Sequence, residues 1–463
     1  MKKYLPICLI LIFSIICLSI SKNENKTLKD NTKKDAKDII IASYVNGVYT
    51  DELPTESKYF GYVKCFDNSG NEIDSLGFVT WENNKWNVKV TDISSSGTCN
   101  VYFIDPPAHW LDAENGTLLK AIKDNNKVEN VRSIPGKQIN KEDEAVLSGT
   151  LDDYGTSYFF RGNVKNNYVQ FAGKCWQIVR VTGDGSIKLI LSNESGTDCT
   201  VKNPYAKWDG TKTTVSFNGN EETYVDGNGE TKYVYSKASG VGFMYGDANA
   251  NNYFDAQANL HDSTILKALK QWYDREFTSE NVINKLADVI WCGDKSLSSG
   301  DGITSSEFGF FGRRTTPQLI CPTSDRINGN IGNLSRYTAN DIVNGNGLLK
   351  TDQGDGTYKY YPIGLLTYDE LNFAGEGLRS ANTNCYLQTG AYYWTMSPFY
   401  NNNTSARVGR VNKPGFQIDY SSVSDSGPNL RPMVALNYNV QATYNASSEY
   451  EPGTVNNPYV ISV

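Results

Sequence analysis

Two adjacent carboxylates, Asp152-Asp153, are residues whose type and spacing could do chemistry. A close acid pair can divide into a proton donor and a proton acceptor. An acidic turn leading into a strand is the more ordinary use of such a pair. His261-Asp262 could supply a general base, but no nucleophile is spaced to it. A helix start at Asp262 or Ser263 accounts for that neighbourhood. From Asp247 to Asp255 oxygen-bearing side chains alternate, as a calcium ion requires. Asn252 stands where glycine is wanted, and Ala258 where a bidentate acid is wanted. A polar surface loop is therefore expected, with no metal site. His109 and His261 are the only histidines, which removes most routes to His-based catalysis. Gly183-Asp184-Gly185 reads as a hairpin turn, since no Lys-Ser/Thr and helix follow it to cradle a phosphate. No cofactor is called for.

Nine cysteines occur, and Cys8 and Cys17 lie in the apolar N-terminal run. The other seven show no Cys-x-x-Cys spacing and have no histidine nearby, so a zinc site is not expected. In an exported chain such cysteines form disulfides. Sequence proximity pairs Cys65 with Cys99, Cys175 with Cys199, and Cys292 with Cys321, leaving Cys385 free. A Cys175–Cys385 bond is the alternative that would leave Cys199 odd.

Export is read from the start of the chain. Lys2 and Lys3 precede an apolar run, Tyr4–Ile20, and Ser19-Ile20-Ser21 offers small residues for cleavage. Residues 1–21 are thus a signal peptide or an uncleaved anchor, and this is the only expected membrane contact. Ile16 before Cys17 is too large for a lipoprotein signal. With 463 residues and net charge −7, the chain has room for several domains and a poor match to nucleic acid. Extracellular partners, glycan or protein, suit it better.

The elements that must position these residues fall into blocks. Residues 22–38 are a polar stalk. Residues 39–104 alternate as strands and read as a small β-sandwich-like module stapled by Cys65 and Cys99. Residues 105–150 form a linker with a short helix capped by Thr117. From 151 to 440 a strand meander is expected over Ser157–Phe160, Tyr168–Phe171, Cys175–Val181 and Ser186–Leu191. Helices are expected over Asp262–Phe277 and Ser279–Ile290, and from the capping box Thr367-Tyr368-Asp369-Glu370. Strands return at Trp394, Ala406–Val411, Gly415–Ile418 and Arg431–Leu436. Residues 441–463 are a tail or a last strand. The fold class is α+β.

Several segments carry more specific information: Asp152-Asp153-Tyr154-Gly155 through Phe160-Arg161-Gly162, Gly173-Lys174-Cys175-Trp176, Trp272-Tyr273, Pro362-Ile363-Gly364-Leu365, Tyr393-Trp394-Thr395-Met396-Ser397-Pro398, and Leu430-Arg431-Pro432. Together they resemble secreted surface proteins of low-GC Gram-positive bacteria. Those proteins end in a C-type-lectin-like domain related to the formylglycine-generating and sulfatase-modifying fold group. The resemblance covers roughly residues 150–440 and implies a scaffold that displays loops. Formylglycine-generating enzymes use a pair of reactive cysteines, whereas here only Cys385 is left over, so that chemistry is not implied.

Trp394 and Arg431 are expected in the core, with Glu370 as an internal partner of Arg431. The segment after Pro398 is dense in amides, rings and arginines. Tyr400, Asn402, Arg407 and Arg410 are the expected ligand surface. The reading is an adhesin-like, non-enzymatic surface protein. The alternatives are an extracellular hydrolase using carboxylates such as Asp152 or Asp425, and a structural surface or fibre subunit.

Overall fold

The computed structural model describes residues 39–73, 76–91, 96–131, 135, 144–313, 316–322, 326–327, 330–331, 333–376, 385–402, 404–412 and 420–462. The export segment, the stalk, most of the charged linker, Lys413 and the expected strand Gly415–Ile418 lie outside these residues. The chain is mixed α+β and strand-rich, 13% helical against 37% strand. It divides into two compact units between Ile104 and Asp105.

In the first unit, alternating side chains produce a five-stranded sheet. Its order is Val48–Thr50, Ile39–Val45, Gly97–Ile104, Phe60–Asp67, Glu72–Ile73. Ile39–Val45 runs parallel to Gly97–Ile104, and the other pairs are antiparallel. A separate hairpin, Leu76–Glu82 with Lys85–Thr91, turns through Asn83 and Asn84 at φ 53° and 58°. Asparagine tolerates that left-handed backbone. Val79 and Trp86 of the hairpin pack on Val101 and Phe103 of the sheet. A Cβ on Gly61 would sit 2.3 Å from Val79 Cγ1, so glycine is what permits this approach. Cys65 and Cys99 stand directly opposite in register and are bonded.

The second unit, Asp105–Val463, holds a nine-stranded sheet and a five-stranded sheet. The larger sheet centres on Lys174–Val181 and Ile187–Asn193, whose side chains are all buried. Both faces of these strands are covered, and polar members such as Lys174, Gln177, Arg180 and Lys188 are buried with the apolar ones. Ala145–Asp152 pairs with Gly155–Gly162, so part of the expected linker is built into the sheet. The final strand Tyr459–Ile461 runs parallel to Tyr168–Phe171, so the tail is built in as well. The meander turns at Ala172-Gly173 (φ 51° and 71°) and at Gly185 (φ 92°). Asn167, just before strand Tyr168–Phe171, donates its side-chain N–H to Ile178 O at 2.9 Å.

Among the described residues, four helices start where side-chain caps satisfy orphan N–H groups. Thr117 caps Leu118–Asn125, Asn252 caps Tyr253–Gln257, Ser263 caps Thr264–Glu276, and the Thr367/Glu370 capping box opens Tyr368–Phe373. Helix Thr264–Glu276 buries Leu266, Leu269, Trp272 and Tyr273, and Trp272 meets Trp176 of the larger sheet edge-on. The expected helix Ser279–Ile290 is a single turn, Glu280–Ile283. Past it, Ala287 N–H donates to Ala435 O, and Leu286 bridges Leu436. Pairing with the sheet has replaced helical hydrogen bonds there.

Candidate functional site

The five-stranded sheet runs Leu297–Gly300, Ser306–Phe308, Tyr393–Asn401, Ala406–Val411, Tyr420–Ser422. Tyr400 stands opposite Arg407. Glu307 faces Tyr400 from one side, and Ser422 faces Arg407 from the other. Directly paired residues project from the same face of a sheet. Glu307, Tyr400, Arg407 and Ser422 therefore form one row across four strands, and all four are half-buried. The Arg407 guanidinium lies 6.0 Å from the Tyr400 ring centroid and 5.5 Å from that of Tyr420. Phe399, buried, backs the Tyr420 ring at 4.0 Å. Such cation–ring contacts fix a long side chain in place.

The other two expected ligand residues are placed differently. Asn402 closes the hairpin: its Oδ1 accepts from the Thr404 hydroxyl at 2.9 Å and from Ser405 N–H at 3.1 Å. Arg410 is engaged internally. It donates to Asp425 at 3.2 Å and to the Ser421 hydroxyl at 3.4 Å, and lies 4.1 Å over the Tyr392 ring. Tyr400 and Arg407 are thus brought together with Tyr420 of the same polar segment, and with Ser422 and Glu307, two residues the sequence reading did not single out.

Trp394 is fully buried, and its indole N–H donates to Val215 O at 2.7 Å. Arg431 is buried too, but Glu370 is not its partner. Its guanidinium donates to Leu191 O, Leu387 O, the Tyr393 hydroxyl and Gln177 Oε1, all neutral acceptors. Glu370 accepts instead from Arg180 at 2.9 Å and Lys188 at 3.2 Å. Arg180 also meets Asp152 at 2.5 Å. This is a buried quartet of two anions and two cations. Burial alone would push the Glu370 carboxyl up, but Lys188 and Arg180 outweigh it and hold the carboxyl down at about 2. Burial pulls Lys188 down to about 8.

The two acids of the Asp152-Asp153 pair are tied up separately. Asp152 accepts from Gly183 N–H and Tyr154 N–H as well as Arg180. Asp153 pairs with Arg336 and accepts from Cys321 N–H at 3.0 Å. Burial raises the Asp153 pKa, although Arg336 opposes it. Asp425, the other hydrolase candidate, is the counter-ion of Arg410. In the stretch from Asp247, the Asp247 carboxylate accepts from Asn249 N–H, and Asn252 caps the short helix Tyr253–Gln257. His261 packs beside the Tyr245 ring, and Asp262 pairs with Lys270 at 2.6 Å. Among the described residues, no group of three or more His, Cys, Asp or Glu is placed to hold a metal ion.

Two buried groups escaped the sequence reading. Lys295 is fully enclosed and donates to Met244 O, Gln257 O and Asn259 Oδ1, each at 2.8 Å. Burial pulls its pKa well down. Its acceptors lie 36 to 51 residues back in the chain, so nothing local marks it. Lys174 sits between Glu194 at 3.4 Å and Glu276 at 2.8 Å. Glu194 also accepts from the Trp272 indole N–H, which ties helix Thr264–Glu276 to the sheet. A hollow of about 180 Å³ beside Asn125 and Asn126 has two ionisable side chains, Lys127 and Glu129, which pair with each other at 3.5 Å.

Disulfides join Cys65–Cys99, Cys175–Cys199 and Cys292–Cys321, and Cys385 is a buried free thiol. Burial raises the Cys385 pKa far above the ordinary thiol range, which suppresses thiolate chemistry. Three disulfides fit an oxidising, extracellular environment. Among the described residues, no helix is long and apolar enough to cross a membrane. Compared with known proteins, the chain matches no family model, no curated protein and no solved structure.

Proposed function

We propose that this is an exported, non-enzymatic surface protein whose second unit is a C-type-lectin-like recognition module of the Gram-positive surface family it resembles. In this reading it binds an extracellular glycan or protein through the row Glu307, Tyr400, Arg407, Ser422, with Tyr420 beside it. One observation carries the reading. The row is half-exposed and leaves a guanidinium held by rings, not by an acid, among the described residues. Rings and an unneutralised guanidinium are what binding surfaces present. The hydrolase alternative is weakened because Asp152, Asp153 and Asp425 each serve as a counter-ion to an arginine. Arrays of glycans and of extracellular proteins test the proposal. Binding that disappears in Tyr400→Ala/Arg407→Ala, with the fold intact, supports it. Binding that survives the double substitution moves the site elsewhere.

A further inference from the structure

We infer that the ligand of this face is a carboxylate-bearing sugar, and that Arg407 meets the carboxylate. The inference rests on the recognition reading above and narrows it to one chemical class. The two arginines of strand Ala406–Val411 show why. Arg410 has Asp425 at 3.2 Å, and its charge is answered within the protein. Among the described residues, Arg407 has the Tyr400 and Tyr420 rings beside it and no carboxylate within ion-pair distance. A guanidinium offers five N–H donors in a flat fork, and a carboxylate accepts two of them in parallel. The flanking Tyr400 and Tyr420 rings hold the side chain, so little of its rotamer freedom remains to be lost on binding.

The neighbouring groups point to a sugar. Ser422 stands opposite Arg407, and its hydroxyl lies 2.9 Å from that of Ser424. Tyr400 contributes a phenol in the same row. Asn402 uses its carbonyl oxygen within the turn, and its amide NH2 has no partner among the described residues. These are hydroxyl and amide groups suited to ring hydroxyls, around rings that can pack on a sugar's C–H face. Glu307 sets the direction. It lies two strands from Arg407 on the same face, roughly 10 Å away at ordinary strand spacing. On the other side of Arg407, away from Glu307, stand Ser422 and Tyr420, and the ligand's carboxylate belongs there. The chain's net charge of −7 gives no general attraction for anions, so a preference for acidic sugars must arise locally.

The test uses the full chain on an array that pairs sialyl- and glucuronyl-terminated oligosaccharides with the same chains lacking the acid. The acidic member of at least one pair should bind about tenfold more tightly than its neutral counterpart. Arg407→Gln should abolish that difference, and Arg407→Lys should restore only part of it, because an ammonium is a point charge without the fork. Added salt should weaken the acidic ligand more than the neutral one. Equal binding of acidic and neutral members would overturn the inference and leave the recognition reading standing. So would an acid preference that survives both Arg407 variants. Binding to neither member of any pair would remove the inference together with glycan recognition by this face. Melting curves of both variants show whether the fold is intact; if Arg407→Gln unfolds the chain, the Lys variant decides.

Discussion

Arg180 is enclosed by two carboxylates, whereas Arg407, half-buried, has two phenol rings beside it. Both sit on strands of the second unit. The difference lies in what surrounds them. Around Arg180 every charge is buried and answered, because a bare ion in that interior would cost several kcal/mol. Around Arg407 water still reaches the row, so the charge can stand without an acid. Arg431 shows a third solution: a buried guanidinium satisfied by carbonyls, a phenol and an amide. The comparison teaches that an arginine's sequence neighbourhood does not reveal its role. Its role follows from whether the fold brings an acid, a set of carbonyls or a ring to meet it.

The largest expected effect comes from breaking the enclosed side of the comparison. Arg180→Met leaves Asp152 and Glu370 buried without their shared cation. It should cost about 3–5 kcal/mol in urea unfolding. A loss below about 1 kcal/mol would mean that water enters the quartet and that the contrast with Arg407 is false.

Next in size are the disulfides. The Cys175–Cys199 bond closes a loop with a sequence separation of 24 and starts on the central strand Lys174–Val181 of the larger sheet. Cys175→Ala/Cys199→Ala should cost about 2–4 kcal/mol through the freed unfolded chain. Non-reducing peptide mapping should recover the Cys175–Cys199 peptide pair. A Cys175–Cys385 peptide would contradict the structure.

The quartet also gives a pH signature. Glu370 has its folded pKa lowered to about 2, below its ordinary value of 4.5. Its contribution is therefore full above about pH 4.5 and is lost as the pH falls towards 2. Lys188, pulled down to about 8 from 10.5, acts in the alkaline range. Its protonation disfavours the fold below about 8, and this penalty disappears as the pH rises to 10.5. Melting temperature between pH 2 and 5 should fall less steeply in Glu370→Gln, from a lower starting value, than in the native chain. Parallel slopes would show that other carboxylates dominate acid unfolding.

Much of the fold was legible where local rules dominate. Strand alternation in residues 39–104, the Thr117 and Ser263 caps, and the Thr367/Glu370 capping box are short-range signals, and each has its physical counterpart in hydrogen bonds. What was illegible is long-range. The partner of Glu370 is Arg180, 190 residues earlier, and no periodicity encodes that meeting. The chain after Ile283 looked helical because apolar residues recur there, yet a free sheet edge at Leu436 competed and won. At the candidate face, residue types identified Tyr400 and Arg407. Only strand register supplied Glu307 and Ser422, and removed Arg410 into a pair with Asp425.

The smallest effect is the sharpest test of the comparison, because it sets two arginines of one strand against each other. Arg410 is paired with an acid that is about a third exposed, with side-chain exposures of 14% and 35%. Pairs screened to that degree are worth about 0.2–1 kcal/mol. Arg410→Gln should therefore lose stability in that range and leave Asp425 with the Ser421 hydroxyl and Gly427 N–H. Arg407→Gln removes a cation that no acid answers among the described residues. It should change unfolding free energy by under about 0.5 kcal/mol, as surface substitutions do. Titration in urea at low and high salt separates the two, because only the Arg410 loss should shrink as salt screens its pair. If Arg407→Gln proves the costlier change, the rings hold Arg407 as a packing group. The row across the five-stranded sheet would then be part of the scaffold rather than its recognition surface.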